Sequence, residues 1–155
     1  IVWGSESSRK KAVEHGFEQA ESKDHFFRTA DIVSLHLRLN SDTKGIVKES
    51  DLRSMKDNSV FINTARAELV ENGALINVLN SGKKFHVGID VYEVEPIYDR
   101  NFDLLRFENV ICTPHLGYVE QNSYELYFGK AFENVVNFIH GNPTNISNKE
   151  ILNRK

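Results

Sequence analysis

Short apolar, β-branched runs alternate with segments of helical periodicity along most of this 155-residue chain. No other feature restricts the fold as much. Strands joined by helical crossovers pair in parallel, and such sheets are covered by helices. Strands are predicted at residues 1–3, 17–20, 31–35, 59–63, 85–91 and 109–113, with the run at 31–35 buried on both faces. Helices are predicted from a Ser7 or Ser8 cap to His15, over Lys23–Thr29 behind Ser22, and at 49–55. Two more follow, from an Asn72 cap to Ser81 and over 120–140. Phe26, Phe27, Leu52, Met55, Leu75, Ile76 and Leu79 take their inward positions. Gly16, Gly82 and Gly141 sit where helices stop. Residues 92–108 form a long acidic and aromatic connection, of a length usually reserved for function. The stretch after Pro143 is expected to be loosely ordered.

Composition removes several classes. With 19 basic and 22 acidic side chains the formal charge is −3, which disfavours nucleic acid as a partner. No apolar run approaches the roughly 20 residues of a membrane span. The lone Cys112 excludes an internal disulfide and a thiolate metal cage, and reads as an inert core residue. A reducing, cytoplasmic setting and no metal are expected.

Ligands of parallel α/β sheets bind at the carboxyl ends of the strands. There the chain places His36, then Asn63-Thr64-Ala65-Arg66, then Asp90 and Tyr92-Glu93-Val94-Glu95-Pro96, then Thr113-Pro114-His115-Leu116-Gly117. Arg66, amid small residues, is a natural fork for a planar carboxylate. His115 stands between a stiffening proline and a permissive glycine, a setting for a general acid/base. A carboxylate at Glu95 would hold that ring and favour its protonated form, while Glu93 reads as a solvated loop charge. Asp90 reads either as a turn cap or as a ligand contact.

These four segments, in this order and spacing, resemble the D-isomer-specific 2-hydroxyacid dehydrogenases from Trp3 to about Pro143. The resemblance implies a doubly wound, Rossmann-like parallel sheet ending in a long helix. It also implies hydride transfer between NAD or NADP and C2 of a small 2-hydroxy or 2-oxo acid. Arg66, Glu95 and His115 match the family's catalytic residues. Asp90 matches its nicotinamide carboxamide contact, and His36, Thr64, Ala65 and Gly117 fall where the family lines the cofactor. The intact protein is then expected to be a homodimer. A glutamate at position 95, rather than an amide, argues against formate as substrate.

The departures matter equally. The family's glycine-rich phosphate loop and first strand are absent, and the chain opens inside an apolar run without a methionine. It is expected to be the carboxyl-terminal half of a protein about twice its size, without activity alone. Residues 1–118 would be a partial nucleotide-binding domain, 119–141 a crossover helix with exposed apolar groups, and 142–155 a piece of the substrate domain. Gly4-Ser5 replaces the acidic residue that grips ribose hydroxyls, and Ser5, Ser8 and Arg9 would tolerate a 2′-phosphate. Arg38 and Ala67 replace a common proline and glycine, and the Gly117-Tyr118-Val119 ending leaves the substrate open. The alternative is an NAD(H)-sensing, corepressor-like binding protein on the same fold. A stand-alone flavodoxin-type scaffold fits the four motifs poorly.

Overall fold

Alternate side chains of a strand point to opposite faces, and this alternation decides where the core lies. A computed structural model describes residues 1–150. Four strands, β1 (Ile32–Leu35), β2 (Val60–Asn63), β3 (His86–Ile89) and β4 (Val110–Cys112), form one parallel sheet in chain order. Val33, Phe61 and Val87 stand side by side in register and are all buried. Leu35, Asn63 and Ile89 form the next buried row. Against them pack Phe27, Leu52, Met55 and Val78. These come from α2 (Lys23–Thr29), α3 (Glu49–Ser54) with its C-cap Met55, and α4 (Ala74–Asn80). A 2.6 Å ion pair between Lys23 and the buried Asp51 ties α2 to α3.

The opposite sheet face is open. Ile32 is 63% exposed and Ile111 71% exposed. The run at 31–35 is therefore buried on one face, not two, because only its alternate residues meet α2–α4. The predicted strands at 1–3 and 17–20 reduce to a single parallel bridge, Val2 to Gln19. Val2 N–H donates to Glu18, and Ala20 N–H returns to Val2. With no further strand beside them among the described residues, the ladder ends after one step. A cavity of about 340 Å³ touches both Val2 and the β1 end at Leu35, lined also by Phe26, Phe27 and Val47.

Two helix starts differ from expectation. α1 (Glu6–Glu14) is capped by Ser5, whose hydroxyl accepts the Ser8 N–H at 3.2 Å, rather than by Ser7 or Ser8. α4 begins behind Gly73, not Asn72, because the entry turn needs a φ of +76° that glycine adopts without strain. The buried stripe runs over Ala74, Val78 and Leu79, leaving Leu75 and Ile76 half-buried. The 92–108 connection is largely exposed but anchored at its far end. It contains a 3-10 turn over Asp103–Arg106 with Leu104 buried, and Phe102 meets the Tyr92 ring edge-on at 5.5 Å.

The chain divides into two compact units at Gly117 and Tyr118. The second holds α5 (Gln121–Ile139), capped by Glu120, whose carboxylate accepts the Asn122 and Ser123 N–H groups. None of its residues is buried, and Phe132 is 68% exposed. Just after the helix, Asn137 donates to Thr144 and Asn145 donates to Asn134. Residues 151–155 of the expected tail lie outside the described residues. Among the described residues no helix is long and apolar enough to cross a membrane, and no cluster of metal-ligating side chains occurs.

Candidate active site

All eight residues singled out in the sequence lie in the first unit, at or just beyond the carboxyl ends of its strands. Three loops carry the chemistry, and a buried polar side chain organises two of them.

The first loop follows β2. Asn63 is 2% exposed at the strand's end. Its side-chain oxygen accepts the Ala65 N–H at 3.1 Å, and its amide nitrogen donates to the Arg66 carbonyl at 2.9 Å. The local turn is thus built by one amide. Arg66 is exposed, donates to the Ala65 carbonyl, and forms no ion pair among the described residues. Ala67, in place of a common glycine, is buried.

The second and third loops interlock. Asp90, 3% exposed, continues the ladder by donating its N–H to Asn63 O at 3.0 Å. Its carboxylate then reaches across to the loop after β4. One oxygen accepts the Leu116 N–H at 2.7 Å and the Thr113 hydroxyl; the other accepts the Gly117 N–H at 2.7 Å. Burial pushes the Asp90 carboxyl up, but those three donors outweigh it and leave the group below the usual carboxylate range. A Cβ on Gly117 would stand 3.0 Å from the same carboxylate, so glycine permits the close approach.

His115 sits on top of this clamp in a left-handed backbone conformation, φ +55°. Its Nδ1 lies 2.7 Å from Oε2 of Glu95, and each side chain is about one-third exposed. A carboxylate only accepts, so Nδ1 carries the proton. The His115 hydrogen bond, then the Tyr92 N–H, draw the Glu95 carboxyl below its ordinary range. Arg66 adds a further coulombic pull on Glu95, which brings all three proposed catalytic groups into one field. The Glu95–Pro96 peptide bond is cis. Glu93 is exposed, as a solvated charge should be.

His36 and Thr64 are exposed at the ends of neighbouring strands, whose last paired residues are Leu35 and Asn63. His36 Nε2 meets the Ser34 hydroxyl at 2.9 Å, and no hydrogen bond or ion pair links it to Arg66, Glu95 or His115 among the described residues. Near the amino end, the Arg9 guanidinium lies 4.9 Å over the Trp3 ring with its Nε buried and unpaired.

Sequence reasoning missed three organisers, Asn63, Thr113 and Tyr92. An asparagine closing the otherwise apolar run Val60–Asn63 was the one available signal, since a buried amide must find partners.

Comparison with known proteins shows the family. Residues 1–117 match the family described as D-isomer specific 2-hydroxyacid dehydrogenase, NAD binding domain. A glyoxylate reductase of Aeropyrum pernix is 31% identical over 153 residues, 98% of this chain and 45% of that protein. A hydroxypyruvate reductase of Blautia hydrogenotrophica is 35% identical over 126 residues, 81% of this chain and 39% of that protein. The crystal structure of a phosphoglycerate oxidoreductase from Vibrio cholerae O395 superposes with a TM-score of 0.85 at 56% identity, covering 90% of this chain and 44% of that one. The chain thus spans less than half the length of these relatives. It belongs to the D-isomer-specific 2-hydroxyacid dehydrogenases, and residues 1–117 correspond to their NAD-binding domain.

Proposed function

We propose that this chain supplies the proton-transfer and carboxylate-binding groups of an oxidoreductase acting on a small 2-hydroxy or 2-oxo acid. The carrying observation is the 2.7 Å Glu95–His115 pair, set on a clamped loop in the field of Arg66. A nicotinamide cofactor, when bound, supplies or accepts the hydride. The chain's own residues do the rest. Arg66 holds the substrate carboxylate through two parallel N–H donors and draws charge toward the C2 oxygen. His115 Nε2 gives a proton to that oxygen during reduction and takes it back during oxidation. Glu95 keeps the ring in one tautomer and stabilises its charged form.

His36, Thr64, Ala65 and Gly117 are the residues proposed to line the cofactor. Asp90 adds a carboxamide contact through the remaining acceptor capacity of its carboxylate. Ser5, Ser8 and Arg9 support NADP(H), whereas the family name supports NAD(H). The ratio of kcat/KM for NADPH over NADH measures that preference. The intact protein is proposed to be a cytoplasmic homodimer, with the isolated 155 residues inactive.

The test is turnover. The protein, with any flanking sequence its gene encodes, is expected to oxidise NADH or NADPH with glyoxylate, pyruvate or hydroxypyruvate. No turnover with any 2-oxo acid would refute the enzyme. Tight NADH binding without turnover would instead point to a cofactor-sensing protein.

A further inference from the structure

Thr113 carbonyl oxygen receives two donors, and one of them comes from another loop. The His115 backbone N–H donates to it at 3.0 Å. The Tyr92 hydroxyl donates to it at 2.8 Å, reaching across 21 residues of sequence, with a weaker approach to Ile89 O at 3.3 Å. The backbone N–H of the same tyrosine donates to Oε1 of Glu95 at 2.8 Å. One residue therefore grips both members of the acid/base pair. Its backbone holds the carboxylate and its side chain holds the carbonyl on which the histidine's own N–H rests.

We infer that Tyr92 is a positioning residue for the Glu95–His115 pair, its N–H and hydroxyl together fixing the distance between carboxylate and imidazole. The inference rests on the enzymatic reading above for its kinetic consequence, but not for its geometry. Four bonds close a ring through Tyr92 N–H, Glu95, His115, the Thr113 carbonyl and the Tyr92 hydroxyl. A ring of this kind leaves the imidazole little freedom to swing, because moving it strains the other three bonds. The edge-on contact with Phe102 anchors the tyrosine ring from outside. Burial, then the neighbouring Cys112, push the hydroxyl up, so it stays a donor across the physiological range. Burial likewise pushes the Cys112 thiol up, so the thiol stays protonated beside it. The other charged groups around the pair are Asp90 beneath the loop and Arg66.

Tyr92→Phe separates the hydroxyl from everything else. It keeps the ring, the Phe102 contact and the backbone N–H, and it changes no charge. Two measurements read it. In the first, kcat for reduction falls about fivefold, the equivalent of one ordinary hydrogen bond, while KM for the 2-oxo acid changes less than twofold. In the second, the 155-residue chain is studied by proton NMR. The His115 Nδ1 proton, bonded to Glu95, gives a downfield line identified by its loss in Glu95→Gln. That line broadens through faster exchange in Tyr92→Phe. An unchanged line together with an unchanged kcat overturns the inference, even if the variant melts lower, since a purely structural tyrosine would alter stability alone. A broadened line in a protein with no turnover on any 2-oxo acid upholds the positioning role and removes the enzymatic reading.

Discussion

The loop that carries Arg66 and the loop that carries His115 leave the same edge of the same sheet, yet they are held differently. One amide, Asn63, shapes the first, and its arginine lies exposed. The second is gripped by Asp90 at three points, by the Tyr92 hydroxyl and by Glu95. The two tasks differ in the same way. A guanidinium is charged at every relevant pH and is guided by the carboxylate it binds. An imidazole must present one nitrogen, in one tautomer, within hydrogen-bond reach of a reacting oxygen. Tight geometry accompanies the group proposed to move a proton, and looser geometry the group proposed only to offer charge.

Three variants would break or sharpen this contrast. His115→Ala has the largest effect, a loss of about 10²–10⁴ in kcat for 2-oxo acid reduction. An unchanged rate would remove proton transfer from the loop. Asp90→Ala comes next. It strands two backbone N–H groups and a threonine hydroxyl, and chemical denaturation should show a loss of about 3 kcal/mol. The sign of its pH dependence follows from its depressed carboxyl. The stabilisation is complete above the ordinary aspartate value of 3.8 and is lost as pH falls through the lower folded value. The acid arm of a stability profile should therefore flatten in the variant. Asn63→Ala has the smallest effect, about 1–2 kcal/mol with no such pH dependence. Equal losses at positions 63 and 90 would erase the distinction between the two loops.

Much of this was legible from the chain alone, for physical reasons. Ile32–Leu35, Val60–Asn63 and His86–Ile89 fall within predicted strands because parallel strands demand near-continuous apolar sequence. Ser22 caps α2 as read, since a serine ahead of a helical run has few other uses. Arg66, Glu95 and His115 stood out by position at strand ends. What escaped notice depends on distance through space. Nothing near Tyr92 in sequence says that its hydroxyl meets Thr113, and nothing near Asp90 says that it meets Gly117. The start of α4 was misplaced because a left-handed Gly73 competes with the more familiar asparagine cap. The strand at residues 1–3 was overread because periodicity cannot say how many neighbours a strand will find.

The left-handed backbone of His115 has a consequence for how such a protein drifts. Glycine and asparagine occupy φ near +55° more comfortably than histidine does. Selection for stability alone would favour replacing the histidine, and the proposed proton transfer is what would retain it. A duplicated copy freed from the proposed proton transfer should therefore acquire Asn or Gly at position 115 early, gaining thermal resistance.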